Sequence, residues 1–285
     1  MPLTTIILTK NEARDLPRCL AALREWCAEI VVLDSGSDDA TRELARAAGA
    51  RVQLRAFTSF GDQRNWALDH CEIATPWVLF LDADEVATPA FRAAVARAID
   101  AAPAAVAGFF CCWKTLAPDG TWLRRCDSFP KWQFRLLRRG RARFQDSGHG
   151  QKEGVVDGEL RYVREPYEHH AFSKGWTHWL EKHNHYSSLE AAERLRVRPR
   201  WHDVFSRDGS RRNRALKPLL SRLPGWPLAR FVHMFFLKRG FLEGRAGRDY
   251  CVNMAYYEFL IGLKMRELRR QPSSASAQES AVAGV

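Results

Sequence analysis

Short apolar runs alternate with helically spaced segments across the first hundred residues, and few architectures accommodate that rhythm. "TTIILT" (4–9), "EIVVLD" (29–34), "RVQLR" (51–55) and "PWVLFLD" (76–82) read as strands. Between the first two, "EARDLPRCLAALREWC" (12–27) repeats Leu16, Leu20 and Leu23 at helical spacing. "DATRELARAAG" (39–49) closes on Gly49, and "FGDQRNWALDHC" (60–71) supplies a third helix. This order predicts βαβ units and a mostly parallel sheet. Right-handed crossovers then place helices on both faces. A further helix is expected at 88–101, with strands at "AVAGFFCCWK" (105–114) and "KWQFRLLRR" (131–139). The expected fold class is therefore α/β.

The second half reads differently. It is rich in Trp, His and Arg, has longer irregular stretches, and contains one strong helix at 173–196. The final segment, "QPSSASAQESAVAGV" (271–285), has the small, polar composition of a disordered tail. These shifts suggest four parts: 1–115, 116–198, a basic and helical extension at 199–270, and the tail 271–285. No internal repeat is present.

At 285 residues and 46% apolar content the chain has material for a substantial core. Its seven cysteines are odd in number and form no CxxC pair, as expected of reduced, buried thiols. The opening residues lack a basic segment followed by a long apolar one. The longest apolar runs, "WVLFL" and "FVHMFFL", fall well short of the ~20 residues of a spanning helix.

Ligands of open α/β sheets bind beyond the carboxyl ends of the strands, and here those ends are polar. Strand one runs into Thr9-Lys10-Asn11-Glu12, strand two into Asp34-Ser35-Gly36-Ser37-Asp38, and strand four into Asp82-Ala83-Asp84-Glu85. In an extended chain Asp82 and Asp84 project to one side. Two close carboxylates repel unless something neutralises them. A divalent ion, Mg²⁺ or Mn²⁺, held jointly with a substrate diphosphate is one answer. An acidic turn capping a helix is the other, since short acidic patterns are common by chance.

"TIILTKNEA", "VVLDSGSDD", "FGDQRNWAL" and "WVLFLDADE", in this order and spacing, resemble the family 2 glycosyltransferases over residues 3–115. That resemblance implies a GT-A (Rossmann-like) fold, a nucleotide-diphosphate sugar as donor and a divalent cation. The later "FRLLRRG", "GHGQKEG" and "GWTHWLEKHNHYSSLEA" are similar to the bacterial lipopolysaccharide-core β-1,4-glucosyltransferases. Carried over by position, Thr9 and Glu12 would contact the uracil and ribose of a UDP-sugar. Asp34 would accept from the base, and Arg64 would face base or diphosphate. Asp82 would lie near ribose or metal, and Asp84 would ligate the metal. For Glu12, a helix-start carboxylate favoured by the helix dipole is the competing reading; for Arg64 it is a surface salt bridge.

Inverting transfer needs a base for the acceptor hydroxyl and stabilisation of the departing diphosphate. "DSGHGQKEG" offers Asp146, His149 and Glu153, of which Glu153 is the expected base. Its alternative is a loop carboxylate paired with Lys152 or Arg161. His169 and His170 follow in "PYEHHAF", and His170 is the expected further metal ligand. Trp176, Trp179, His183 and Tyr186 share one helix face, either as core or as a sugar-binding wall.

The chain carries a formal net charge of +11. Between Arg194 and Arg248 lie 15 Lys+Arg against 3 Asp+Glu, leaving 29 against 30 elsewhere. In that segment large apolar residues interleave with the cations. This predicts contact of residues 199–245 with an anionic membrane surface, where a glycolipid acceptor is anchored. The corresponding location is peripheral, on the cytoplasmic face of a bacterial inner membrane. A nucleic-acid-binding arm would use the same charges. No recognised nucleic-acid module accompanies them, so a nucleic-acid partner is not expected.

Overall fold

The computed structural model describes residues 1–147, 150–196, 201–207, 212, 215–216 and 219–270. His149 and the tail 271–285 lie outside the described residues. The chain forms two compact units, Met1–Thr177 and His178–Val285.

The first unit is built on an eight-stranded sheet. Its first part runs β1 (Leu3–Thr9), α1 (Leu16–Leu23), β2 (Glu29–Asp34), α2 (Thr41–Ala47), β3 (Arg51–Leu54), α3 (Phe60–His70) and β4 (Trp77–Asp82). There follow β5 (Glu85–Val86), α4 (Pro89–Asp100), β6 (Val106–Thr115), β7 (Trp132–Arg138), β8 (Ala142–Ser147), β9 (Gly150–Val156) and β10 (Glu159–His169). The strand order is β3-β2-β1-β4-β7-β6-β10-β5, while β8 and β9 pair as a separate antiparallel hairpin. β1 through β4 are mutually parallel, as are β6 and β10. β7 runs antiparallel between β4 and β6, and β5 lies antiparallel at the edge.

Alternation along the central strands explains why their sequences are apolar throughout. Leu3, Ile7, Val32, Leu79 and Leu81 face one layer with Leu16, Leu20, Leu23, Phe91 and Val95. Ile6, Val31, Leu33, Val78 and Phe80 face the other with Ala67, Phe134 and Phe144. A parallel sheet covered on both faces shows this unbroken hydrophobicity. The helices start where local chemistry directs. Ser59 accepts from the Asp62 amide at the head of α3, and Thr88 accepts from Phe91 before Pro89 opens α4.

Register sets the functional edge. Thr9 pairs with Asp34, and Leu8 with Asp82, so three strands end level with one another.

α5 (Gly175–Arg196) leads into the second unit, which contains α6 (Trp201–Val204), α7 (Trp226–Val232) and the long α8 (Gly244–Arg270). A π-helical turn (His233–Leu237) and a 3-10 turn (Gly240–Glu243) join α7 to α8. Ala191 of α5 packs with Tyr257, Ile261 and Met265 of α8. Arg194 holds Glu258 at 2.7 Å, and the Trp226 indole N–H donates to the same carboxylate at 2.9 Å. Trp179 is buried and stacks on His183, whose ring meets Tyr257, so this part of the aromatic stripe is core.

Candidate active site

The loop after β2 is organised by Asp34, which is fully buried. One carboxylate oxygen accepts from the Gly36 and Ser37 amides, at 3.1 and 2.9 Å. The other accepts from Thr9 Oγ1 at 2.9 Å and from Ser37 Oγ. Four donors occupy its four lone-pair positions. Asp34 therefore shapes the loop, and Thr9 is spent on holding Asp34. Gly36 has φ +83°, the left-handed geometry that this tight turn requires.

Glu12 follows β1. Its carboxylate lies 2.8 Å from Lys174 Nζ, which also donates to the Asn11 carbonyl at 2.8 Å. Burial pushes Glu12 up to about 7 against the pull of Lys174, and Asp84 and Asp15 push it the same way as burial.

The carboxylates after β4 divide into two roles. Arg64 Nη2 on α3 lies 3.1 Å from Asp82 Oδ1. Arg135, from β7, reaches Asp82 Oδ2 at 2.9 Å and Glu85 Oε1 at 2.6 Å. Glu85 also accepts from the Asp82 amide at 2.8 Å and from the Tyr167 hydroxyl at 3.1 Å. Both arginines are about 1% exposed, and Arg64 is ringed by Phe60, Phe80 and Phe144. Burial alone would raise Asp82, but Arg135 and Arg64 outweigh it and hold the group well below the carboxylate range. Glu85 is raised to about 7, by burial first and by Asp82 and Asp84 as well, against Arg135. Two guanidinium groups of the chain thus already pair with Asp82. This buried pairing also sets aside the surface reading of Arg64.

Asp84 meets an imidazole. Its Oδ2 lies 3.3 Å from His169 Nε2, and its carbonyl accepts from the His170 amide at 2.9 Å. The ring beside Asp84 is thus that of His169. His170 turns its ring toward Glu168, at 3.5 Å, because neighbouring residues near a strand end point opposite ways. The structure thus places His169, rather than His170, beside Asp84. Among the described residues no three His, Cys, Asp or Glu side chains group to hold a metal by themselves. Asp84 with His169 makes a carboxylate–imidazole pair that fits Mn²⁺ or Mg²⁺ when diphosphate oxygens complete the shell.

The acceptor-half candidates sit on the β8–β9 hairpin. Asp146 accepts from the Gly61 amide at 2.9 Å and from Ser59 Oγ at 2.7 Å, so it ties the hairpin to the start of α3. A Cβ on Gly61 would come within 2.9 Å of that carboxylate, which explains the glycine. Asn65 bonds both the carbonyl and the amide of Phe144, each at 2.9 Å, and acts as a stand-in strand partner. Glu153 is half-buried and pairs across the hairpin with Phe144. Directly opposed residues share a face, and Phe144 is one of the three rings around Arg64. Arg161, a possible partner for Glu153, pairs instead with Glu159 at 2.9 Å.

Arg135 is the site residue that sequence reasoning missed. Its signal was an arginine flanked by Phe134, Leu136 and Leu137 inside an apolar strand, a position where a charge survives only with a buried partner.

Strand-end carboxylates, a buried arginine pair and an imidazole mark an α/β enzyme whose ligand sits beyond the carboxyl edge of its sheet. The chain belongs to glycosyltransferase family 2: the profile described as "Glycosyl transferase family 2" matches residues 4–151, just over half its length. The sheet is accordingly that of a GT-A transferase. Among curated proteins, the lipopolysaccharide core biosynthesis glycosyltransferase LpsC of Rhizobium meliloti is 29% identical over 223 residues, 72% of this chain and 77% of that protein. Glycosyltransferase AglJ of Haloferax volcanii is 41% identical over 78 residues, covering 27% of this chain and 25% of its own. Among solved structures, the mannosyltransferase PcManGT of Pyrobaculum calidifontis, in complex with GDP-Man and Mn²⁺, aligns with 93% of this chain and 86% of its own, at 17% identity and a TM-score of 0.49.

Proposed function

We propose that this chain is an inverting hexosyltransferase that moves a sugar, glucose by resemblance, from a UDP-sugar to a lipopolysaccharide or lipooligosaccharide core acceptor. The observation that carries the reading is the pairing of Asp84 with His169 at the level ends of β1, β2 and β4, beside an Asp82 already neutralised by arginine. The likeness to LpsC across most of both chains supports the acceptor class.

In this reading Glu12 accepts from the ribose hydroxyls once Lys174 yields. Asp34 and Thr9 hold the loop against which the base stacks. Arg64 and Arg135 fix Asp82 so that its exposed edge borders the ribose. Asp84 and His169 hold the divalent cation, which when bound supplies Lewis-acid stabilisation of the leaving diphosphate. Glu153 takes the proton of the acceptor hydroxyl. Holding donor and acceptor in line contributes up to about 7–11 kcal/mol. Residues 199–245 bring the enzyme to the anionic, cytoplasmic surface of the inner membrane, where the lipid-anchored acceptor resides.

The test is a transfer assay. Purified chain is incubated with UDP-glucose, Mn²⁺ and a truncated lipopolysaccharide core, and the product is read by mass spectrometry. A mass gain of one hexose, lost with chelator, is expected. No transfer to any core acceptor, with transfer to another glycan, would reject the acceptor class and leave the family intact.

A further inference from the structure

α8 has two apolar faces, and packing accounts for only one. Tyr250, Cys251, Tyr257, Ile261 and Met265 are buried within the second unit. The opposite side carries Val252, Tyr256, Phe259 and Leu263, spaced four, three and four residues apart. That spacing places them in one line along the helix. They are 50%, 49%, 47% and 45% exposed, so half of each large side chain meets solvent. The line continues in both directions with exposed arginines, Arg245 and Arg248 before it and Arg266 and Arg270 after it.

We propose that this outward line of α8 is a docking surface for the headgroup region of an anionic bilayer. The apolar line, Val252 to Leu263, lies beyond the 199–245 segment, and the proposal rests on the reading of the acceptor as membrane-anchored.

The arrangement of charge selects the occupant. A second copy packed along α8, parallel or antiparallel, would set arginines against arginines at both ends. An anionic surface meets all of them at once. Asp249, at the edge of the line, is already engaged by Arg248 at 2.9 Å, and Glu267 is the other acid beside it. The apolar centre extends over about 16 Å, from the helical rise. No described helix is long and apolar enough to cross a membrane, and an apolar centre with cationic ends is the pattern of a helix lying in the interface plane. Other elements of the same unit also expose large apolar side chains, Leu228 on α7 and Phe236, Leu237 and Leu242 in the turns before α8.

The experiment uses the full chain. Flotation with phosphatidylglycerol-containing vesicles is compared with phosphatidylcholine alone for the wild type, for Phe259→Ser/Leu263→Ser and for Arg266→Gln/Arg270→Gln. Both variants should keep the wild-type melting temperature and the transfer rate to a soluble acceptor, because the substituted side chains lie on the exposed line of α8 and are not site residues. Each should lose about tenfold or more of its partition into the anionic vesicles. A Tyr256→Trp variant gives a second reading, with a blue shift in its emission difference from the wild type expected on anionic vesicles only. Undiminished flotation of the serine or glutamine variants, or an unshifted emission from Tyr256→Trp, overturns the proposal. So does a dimer in sedimentation velocity that the Phe259→Ser/Leu263→Ser change abolishes, which would make the occupant a second copy. A wild type that transfers sugar but ignores vesicles sinks this proposal alone; one that docks through α8 without transferring sugar sinks the proposed function alone.

Discussion

Arg135 Nη2 lies 2.9 Å from Asp82 Oδ2 and 2.6 Å from Glu85 Oε1, so one buried guanidinium joins two carboxylates. Arg64 grips Asp82 from the other side at 3.1 Å. Two cations thus face two anions, and deleting one leaves a charge uncompensated in the interior. Breaking a buried pair in this way costs about 3–5 kcal/mol. Arg135→Met should lower the unfolding free energy from urea denaturation by an amount in that range, whereas Arg135→Met combined with Glu85→Gln should recover part of it. A double variant no more stable than the single would mean that Glu85 does not depend on Arg135.

The division of the acidic patch predicts unequal histidines. His169 Nε2 faces Asp84 at 3.3 Å, while His170 faces Glu168 and is pushed down by burial first and Arg18 next. Asp84→Ala and His169→Ala should each reduce transfer at least about a hundredfold and weaken Mn²⁺-dependent UDP binding, with little change in melting temperature. His170→Ala should leave the metal dependence of UDP binding intact, as calorimetric titration with and without Mn²⁺ would show. The reverse order of effects would return the ligand role to His170.

Glu12 gives a pH signature. Its ordinary value is about 4.5 and burial raises it to about 7 in the folded chain. The folded state therefore holds a proton that the unfolded state gives up, and the associated stability is full below about 4.5 and lost as pH rises through about 7. Glu12→Gln should flatten the stability profile across that window and raise the melting temperature at neutral pH. It should also weaken UDP binding, since an amide accepts from the ribose less well than a carboxylate. Some slope should persist in the variant, because Glu85 is also raised to about 7. A profile identical to wild type would mean that Glu12 titrates normally.

The half of the fold that was legible in the sequence is the half covered on both faces. Strands such as β1 and β4 must be apolar at every position, and that makes a run visible without neighbours. β10 carries Arg161, Arg164 and Glu165, and β9 carries Lys152 and Glu153, so their strand character comes from pairing partners rather than from hydrophobicity. α8 was read only as part of a helical extension, without bounds of its own, because its two apolar lines, one inward and one outward, blur the single stripe by which an amphipathic helix is recognised. In the site, the strand-end residues were visible as sequence punctuation. Arg135 was not, because its partners are 50 or more residues away and nothing local marks the pairing. A similar separation divides His169 from Asp84, where the choice between adjacent histidines turned on strand alternation that only the pairing of β10 with β5 defines.

Asp146 and Glu153 lie seven residues apart in the sequence, on the two strands of one hairpin, with different work to do. Asp146 bonds Gly61 and Ser59, which fixes the hairpin to α3 and caps that helix. Asp146→Ala should therefore cost about 1 kcal/mol of stability, the usual effect of losing a cap. Its residual activity should track the folded fraction. Glu153, half-buried and opposite Phe144, shows no such tether among the described residues, where the Gln145 amide donates to its backbone carbonyl. Glu153→Gln keeps the shape and removes the base. Turnover should fall about 10²–10⁴-fold with the UDP-sugar KM and melting temperature unchanged. A variant that retains turnover would transfer the role of base to another group, and a fall in stability equal to that of Asp146→Ala would make Glu153 a second tether of the hairpin.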